Sequence, residues 1–319
     1  MPESSRRKAQ SWPYPRYRQY EETVRKAAAN WFEEKGYAVH PRYPYILDSL
    51  DHWQYNIIKP EVADYIAKER IRREANKQGF PLHKYAHHGL SSQAMLFNLV
   101  GPLIVANDFD PLLKVIDRKG VRLPGEVGGA ILEYEDRKVF NEDSGQPTSI
   151  DLVIETTGHQ PALFIESKMV EREFAGCSVF GMGDCDGRNP AGNLSSCYLH
   201  FIGRRYWTLL EKFGFLDGPM GTEKVCPLAL HYQFFRELLF ALEQGGYFIL
   251  LYDERNPTFF CKGDSVTRGL IPLLLEFVPE PYRPYVKTIT MQEVAAEIRT
   301  CGRHSWIDEF EKKHGLVKS

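Results

Sequence analysis

The chain has 319 residues, 43% hydrophobic and 13% aromatic, enough apolar material for a large buried core; this excludes a disordered protein. The formal net charge of −2 excludes a uniformly basic nucleic-acid binder, yet leaves room for a local basic face, because active-site acids subtract from the total. No stretch reaches the apolar length of a membrane span, and Met1-Pro2-Glu3-Ser4-Ser5-Arg6-Arg7-Lys8 has no signal-peptide hydrophobic region, so a cytoplasmic protein with no membrane partner is expected.

Near the start, Arg6, Arg7, Lys8, Arg16 and Arg18 interleave with Trp12, Tyr14, Tyr17 and Tyr20. Such a stretch can track phosphates and stack bases, or its aromatics can pack on the body of the protein. Residues 42–60, rich in Tyr and Pro, read as an ordered linker. A helix is expected over 61–78, where Lys68, Arg70, Arg72, Arg73 and Lys77 read as a solvated face with Glu69 and Glu74 as i,i+4 partners. His83, His87 and His88 come next; Gly79, Pro81 and Gly89 oppose a long helix there, which favours loop or cap histidines over a metal pair. The spacing then predicts a helix over 90–103, serine-capped and apolar nearly all round.

Three strands follow. Gly128-Gly129-Ala130-Ile131-Leu132-Glu133-Tyr134-Glu135 reads as a strand ending in acids. Thr148-Ser149-Ile150-Asp151-Leu152-Val153-Ile154 is β-branched and alternating. Ala162-Leu163-Phe164-Ile165 is reached through a turn around Gly158 and Pro161, and runs on into Glu166-Ser167-Lys168. A Gly-, Asp- and Asn-rich insertion over 175–226 carries Cys177, Cys185, Cys197 and Cys226. Those four could hold a Zn²⁺ ion or an iron–sulfur cluster; free buried thiols are the alternative, because no Cys-x-x-Cys pair is present. Gly203-Arg204-Arg205-Tyr206-Trp207 could touch nucleic acid. Residues 231–242 form a strong helix, stopped by Gly245-Gly246, and 247–252 a buried strand. The tail holds an amphipathic helix near 291–300 and no identifiable chemistry.

If the second and third strands pair as a hairpin, Asp151 and Glu166 meet at one end of a sheet, and Lys168, two residues on, points the same way as Glu166. Two carboxylates beside an ammonium suit a hard divalent cation next to a phosphate. Mg²⁺ is held by one or two carboxylates plus substrate oxygens and water, and it activates water and stabilises charge growing on phosphorus. Gln233 and Arg236, one turn apart, could reach this site and a phosphate respectively, or hydrogen-bond a neighbouring strand. The bland reading of Asp151, Glu166 and Lys168 is two strand-end surface acids and a solvated lysine.

An Asp followed after fourteen residues by Glu-x-Lys resembles the signature of the PD-(D/E)xK nuclease superfamily, with the proline displaced to Pro147. The Ser-Ser-Gln-x4-Asn-x2-Gly-Pro helix, the Glu-Tyr strand, the Thr-Ser-x-Asp strand and the Gln-x-x-Arg helix resemble one restriction-endonuclease-like branch over about 85–255. The resemblance implies an α/β, restriction-endonuclease-like αβββαβ core with a mixed central sheet flanked by helices. The expected organisation is a helical N-terminal extension (1–84), the nuclease-like core (85–255) and a C-terminal extension packing on it (256–319). It implies a Mg²⁺- or Mn²⁺-dependent nuclease acting on nucleic acid, with DNA preferred. Asp151, Glu166 and the Ser167 carbonyl would be metal ligands, Glu133 a further acid, Lys168 the assistant to the nucleophile and Gln233 a support. Arg236, Arg204 and Arg205 would contact nucleic acid, and a homodimer would supply two active sites for the two strands of a duplex. The rival readings are a non-catalytic nucleic-acid- or protein-binding module on the same fold, and a Cys-metal-stabilised structural protein.

Overall fold

A computed structural model describes residues 13–145, 147–158, 160–263 and 267–316. Arg6, Arg7, Lys8 and Trp12 therefore lie outside the described residues. The chain starts with α1 (Pro13–Glu34), a two-strand ladder of β1 (Val39–His40) and β2 (Tyr43–Leu47), and a 3₁₀ turn at Leu50–Asn56. It continues with α2 (Pro60–Ala75), α3 (Ser92–Ala106) and α4 (Asp110–Arg118). Then come β3 (Val127–Asp136), β4 (Thr148–Thr156) and β5 (Gln160–Lys168), with the insertion built of short helical turns. The last part holds α5 (Pro227–Glu243), β6 (Tyr247–Tyr252), β7 (Val286–Thr290), α6 (Met291–Cys301) and α7 (Ile307–His314).

One mixed sheet of order β3-β4-β5-β6-β7 organises these elements. β3, β4 and β5 are antiparallel neighbours, whereas β5–β6 and β6–β7 are parallel. α5 is the crossover that parallel pairing of β5 with β6 requires. The αβββαβ order is thus present, and the fold is mixed α/β with helices on the sheet, as a restriction-endonuclease-like core requires. A fifth strand, β7, comes from the C-terminal segment.

Each face of the sheet has its own apolar cluster. On one, Leu152, Ile154, Leu163, Ile165, Ile249 and Leu251 pack with α1, α3, α4, α6 and α7. On the other, Val153, Phe164, Phe248 and Leu250 pack with α5 and the insertion. Tyr17 and Tyr20 join the first cluster: both are buried, and the Tyr20 hydroxyl donates to the Met169 carbonyl at 2.8 Å. The segment expected as a linker is ladder and 3₁₀ turn, because Leu47, Trp53, Ile57 and Ile58 are themselves buried there. Ser91 caps α3 as expected, accepting from the Ala94 amide at 3.3 Å.

Candidate active site

Register brings the acids together. Leu152 pairs with Ile165 and Val153 with Phe164, so Asp151 and Glu166 fall opposite each other one step beyond the last ladder pair. Leu132 pairs with Leu152 and Tyr134 with Ile150, which sets Glu133 opposite Asp151. Three carboxylates therefore form one row across β3, β4 and β5. The sheet is distorted at this row: Leu132 packs in one apolar cluster and Tyr134 against the other, although residues two apart on a strand normally share a face. Glu133 between them has φ of 50°, in the left-handed region that side chains rarely adopt, and that twist makes the switch.

Two helices hold Glu133 in place. Arg73 of α2 donates to the Leu132 carbonyl at 2.6 Å and to the Glu133 carbonyl at 2.7 Å, and pairs with Glu69 at 2.8 Å. It is buried, unlike the solvated face expected for it, because the distorted strand offers carbonyl oxygens that only a buried donor can satisfy. Lys68, Arg70, Arg72 and Lys77 are exposed. Gln93 of α3 donates to the Glu133 carboxylate at 2.6 Å, and its own carbonyl accepts from the His83 amide at 2.9 Å.

On the other side, Lys168 donates to Glu166 at 2.7 Å and to the Gln233 carbonyl oxygen at 3.0 Å, while the Gln233 amide donates to Glu166 at 2.6 Å. Gln233 reaches in from α5, where His231 breaks the helical backbone with φ of −134°. Asp151 accepts the Ser167 amide at 2.8 Å, replacing the ladder partner which that amide lacks beyond Ile165. The Ser167 hydroxyl points the other way and donates to the Ser92 carbonyl at 3.2 Å.

The electrostatics are those of acids short of cations. Burial, with Glu166 adding to it and Gln93 opposing, pushes the Glu133 carboxyl up to about 8. Burial, then Glu166 and Glu133, hold Asp151 well above its ordinary range. Lys168 is pulled down by burial but held above its ordinary value by Glu166, Glu171 and further acids, so it is an ammonium. A fourth acid, Glu237, lies one turn after Gln233 and is fully buried. Burial and then Glu166 raise it well above the carboxylate range, against the opposing pull of Arg236, Lys168 and the nearby Gln233 side chain. Arg73, Gln93 and Glu237 are the functional candidates that sequence reasoning passed over; a charge inside the apolar run Phe234-Phe235-Arg236-Glu237-Leu238 was the available signal for the last.

The row opens on a cleft of about 940 Å³ that Glu133, Asp151, Glu166, Lys168, Gln233 and Arg236 all line. The opposite wall comes from the N-terminal segment, including Arg25, Tyr45, His83, Tyr85 and His88. Arg236 lies over the Tyr232 ring at 5.1 Å. Arg204 and Arg205 line another part of the molecule: Arg204 is buried and tied to Asp143 at 2.8 Å and to the Ser144 carbonyl at 2.8 Å, and Arg205 donates to the Val139 carbonyl at 3.1 Å. Cys177, Cys185, Cys197 and Cys226 sit together in a separate cavity of the insertion.

A hard divalent cation fits this donor set. Mg²⁺ asks for one or two carboxylates and takes its remaining oxygens from water and substrate. Among the described residues no three His, Cys, Asp or Glu side chains form a complete metal cage, and here the Lys168 ammonium stands at Glu166. Asp151 and Glu166 across one strand gap are therefore the pair to consider.

A family model described as a restriction endonuclease associating with ARP matches residues 25–315. The chain belongs to that family. The match to this restriction-endonuclease family runs well beyond the core, into the segments that carry α1, α2, β7 and α6. Neither the curated proteins nor the solved structures gave a match. No helix among the described residues is long and apolar enough to cross a membrane.

Proposed function

We propose that this chain is a Mg²⁺- or Mn²⁺-dependent phosphodiester hydrolase acting on nucleic acid, with DNA as the preferred partner. One observation carries the reading: Glu133, Asp151 and Glu166 share a row at the floor of a cleft, with the Lys168 ammonium hydrogen-bonded to Glu166. Buried like charges are costly, and a protein keeps them where something positive is to be bound. Membership of a restriction-endonuclease family agrees with that use.

In this reading Asp151, Glu166 and the Ser167 carbonyl hold the metal, which supplies an activated water and charge stabilisation at phosphorus when bound. Lys168, an ammonium, donates rather than accepts: it orients the attacking water and offsets charge on the phosphate oxygens. Gln233 touches both Glu166 and Lys168 and so fixes the distance between acid and ammonium. Glu133, held by Gln93, serves as a further ligand or orients the water. Arg236 on the cleft wall is placed to meet a phosphate.

The test is cleavage of circular, linear and single-stranded DNA and of RNA, with Mg²⁺ or Mn²⁺, by the wild type and by Asp151→Ala. Metal-dependent cutting by the wild type alone is expected. Mn²⁺ binding without any cutting would replace the hydrolase by a binding module, and the absence of both would remove the metal site.

A further inference from the structure

The insertion between β5 and α5 has no sheet of its own beyond a single bridge between Arg188 and Val225. Among its described residues the fold is short turns, with residues such as Leu194, Leu199 and Phe180 leaning on the α5 side of the core. Its second part is anchored by buried Trp207, Leu209, Leu210, Phe215 and Met220, but between Cys177 and Ile202 the buried apolar side chains are Val179 and Pro190, and small irregular units of this kind commonly need a covalent or metal staple. Four of the chain's six cysteines are here, and all four line one cavity of about 460 Å³.

The backbone brings them there from distant points in the chain. The Cys177 amide donates to the Ala229 carbonyl at 3.2 Å, closing the base of the insertion beside Cys226. The Cys226 amide donates to the Gly187 carbonyl at 2.8 Å, which lays the Cys185–Gly187 turn against Cys226. Cys197 faces the same cavity from its own turn. One of the sulfurs already receives a backbone N–H group: Gly187 donates to Cys185 Sγ at 3.4 Å, while the Ala229 amide, at the start of the long helix α5, donates to the Cys226 carbonyl at 2.9 Å and fixes the turn that carries that cysteine. A neutral thiol is a poor acceptor, whereas N–H groups aimed at sulfur are what a ligating thiolate wants around it. The other two cysteines do not share the cavity: Cys261 accepts from Arg16 at 3.3 Å, and Cys301 donates to the Ile298 carbonyl at 2.9 Å.

We infer that Cys177, Cys185, Cys197 and Cys226 form a structural site for one thiophilic divalent cation, Zn²⁺, which pins the insertion to the start of α5. Four thiolates make a closed, tetrahedral site with no open position for substrate, which suits a structural ion. Each thiol releases its proton to solvent on ligation. The sulfurs line the cavity without yet meeting at one point, since no three His, Cys, Asp or Glu side chains among the described residues do. Binding therefore draws four short side chains inward across a cavity already open between them. The site is separate from the acid row and does not depend on the hydrolase reading.

The experiment is metal analysis of the full chain purified without chelator, joined to alkylation mapped cysteine by cysteine. Stoichiometric zinc is expected in the wild type, in Cys261→Ser and in Asp151→Ala, and its loss in Cys197→Ser and Cys185→Ser. In the wild type, Cys177, Cys185 and Cys197 should resist alkylation until a zinc chelator is added, while Cys261, also partly buried, reacts throughout. That wild-type measurement decides the matter even if the serine variants fail to fold. Cysteines that alkylate as fast as Cys261 after zinc has been supplied would overturn the site. So would a disulfide among the four, or iron with sulfide in place of zinc.

Discussion

Two buried acid sites at the same end of one sheet are handled in opposite ways. Asp253, just after β6, is fully buried and fully answered: Arg255 meets its two oxygens at 2.9 and 2.6 Å, and Gln292 donates at 2.6 Å. Arg255 in turn donates to the Gly315 and His314 carbonyls, so the pair ties the C-terminal helix to the sheet. At the other site the four acids Glu133, Asp151, Glu166 and Glu237 outnumber the cations that act on them, Lys168, Arg73 and Arg236, and among the described residues no arginine fork closes on any of the four carboxylates. The first arrangement is architecture, complete as it stands. The second is complete only when more positive charge arrives, and buried charge left uncompensated is a mark of function rather than of stability.

That contrast predicts which substitution harms what. Asp151→Asn should abolish metal-dependent cleavage, a fall of about 10³-fold or more given what one charge-stabilising group is worth in a dry site. It should leave the metal-free protein at least as stable, because asparagine is neutral in the crowded acid row at any pH, whereas Asp151 must take up a proton to be so. Asp253→Asn should do the reverse, leaving Arg255 without its counter-charge at a cost of about 3–5 kcal/mol, the usual penalty for breaking a buried pair. Thermal melts alongside cleavage rates check both. If Asp151→Asn melts lower than Asp253→Asn, the division into a functional and an architectural acid fails.

Lys168 sharpens the same point. Lys168→Met should lower cleavage by about 10²-fold or more, as expected for loss of a group that orients the nucleophile, while binding Mn²⁺ at least as well. The ammonium that competes for Glu166 would be gone. Calorimetric titration with Mn²⁺ reads the affinity; weaker binding would mean that Lys168 organises the acids rather than competes with the metal for them.

The pH dependence has a fixed sign. Glu133 titrates at about 8 in the folded protein against an ordinary value near 4.5, and Asp151 is shifted the same way. Their raised values favour the protonated folded form, so this contribution to stability is fully present below the unfolded value and is lost as pH rises through about 8. A divalent cation takes over from the proton. The rise in Tm on adding Mn²⁺ should therefore grow between about pH 6 and about pH 9. A rise that is flat or shrinks with pH would show that the metal does not bind these acids.

Much of this was legible in the residues. Asp151, Glu166 and Lys168 could be placed on strands because period-two spacing and β-branching are local signals, and Gln233 followed from the helix before the next strand. What was not legible depends on register and on contacts far apart in sequence. Arg73 sits in a run of charges that looks solvated, and nothing local says that one of five basic side chains turns inward to a strand sixty residues on. Gln93 reads as part of an apolar helix until β3 puts Glu133 opposite it. The role of α1 and the hairpin segment as the far wall of the cleft is likewise a matter of packing alone.

Arg73 gives the smallest and most exacting test, because it never touches substrate or metal in the proposed reaction. It holds two consecutive carbonyls of a strand whose Glu133 has φ of 50°, and a left-handed glutamate persists only where its surroundings over-determine it. A lysine in its place could satisfy one carbonyl but not both, since an ammonium lacks the planar fork that spans neighbouring oxygens. Arg73→Lys should therefore weaken Mn²⁺ binding and cleavage together by about 10- to 100-fold, the range seen when a group that orients ligands is lost. Gln93→Ala, which frees the Glu133 carboxylate but leaves the backbone held, should cost less than Arg73→Lys if backbone geometry sets the acid row. Should Gln93→Ala prove the more damaging, the hydrogen bond to the carboxylate, and not the distorted strand, is what positions Glu133.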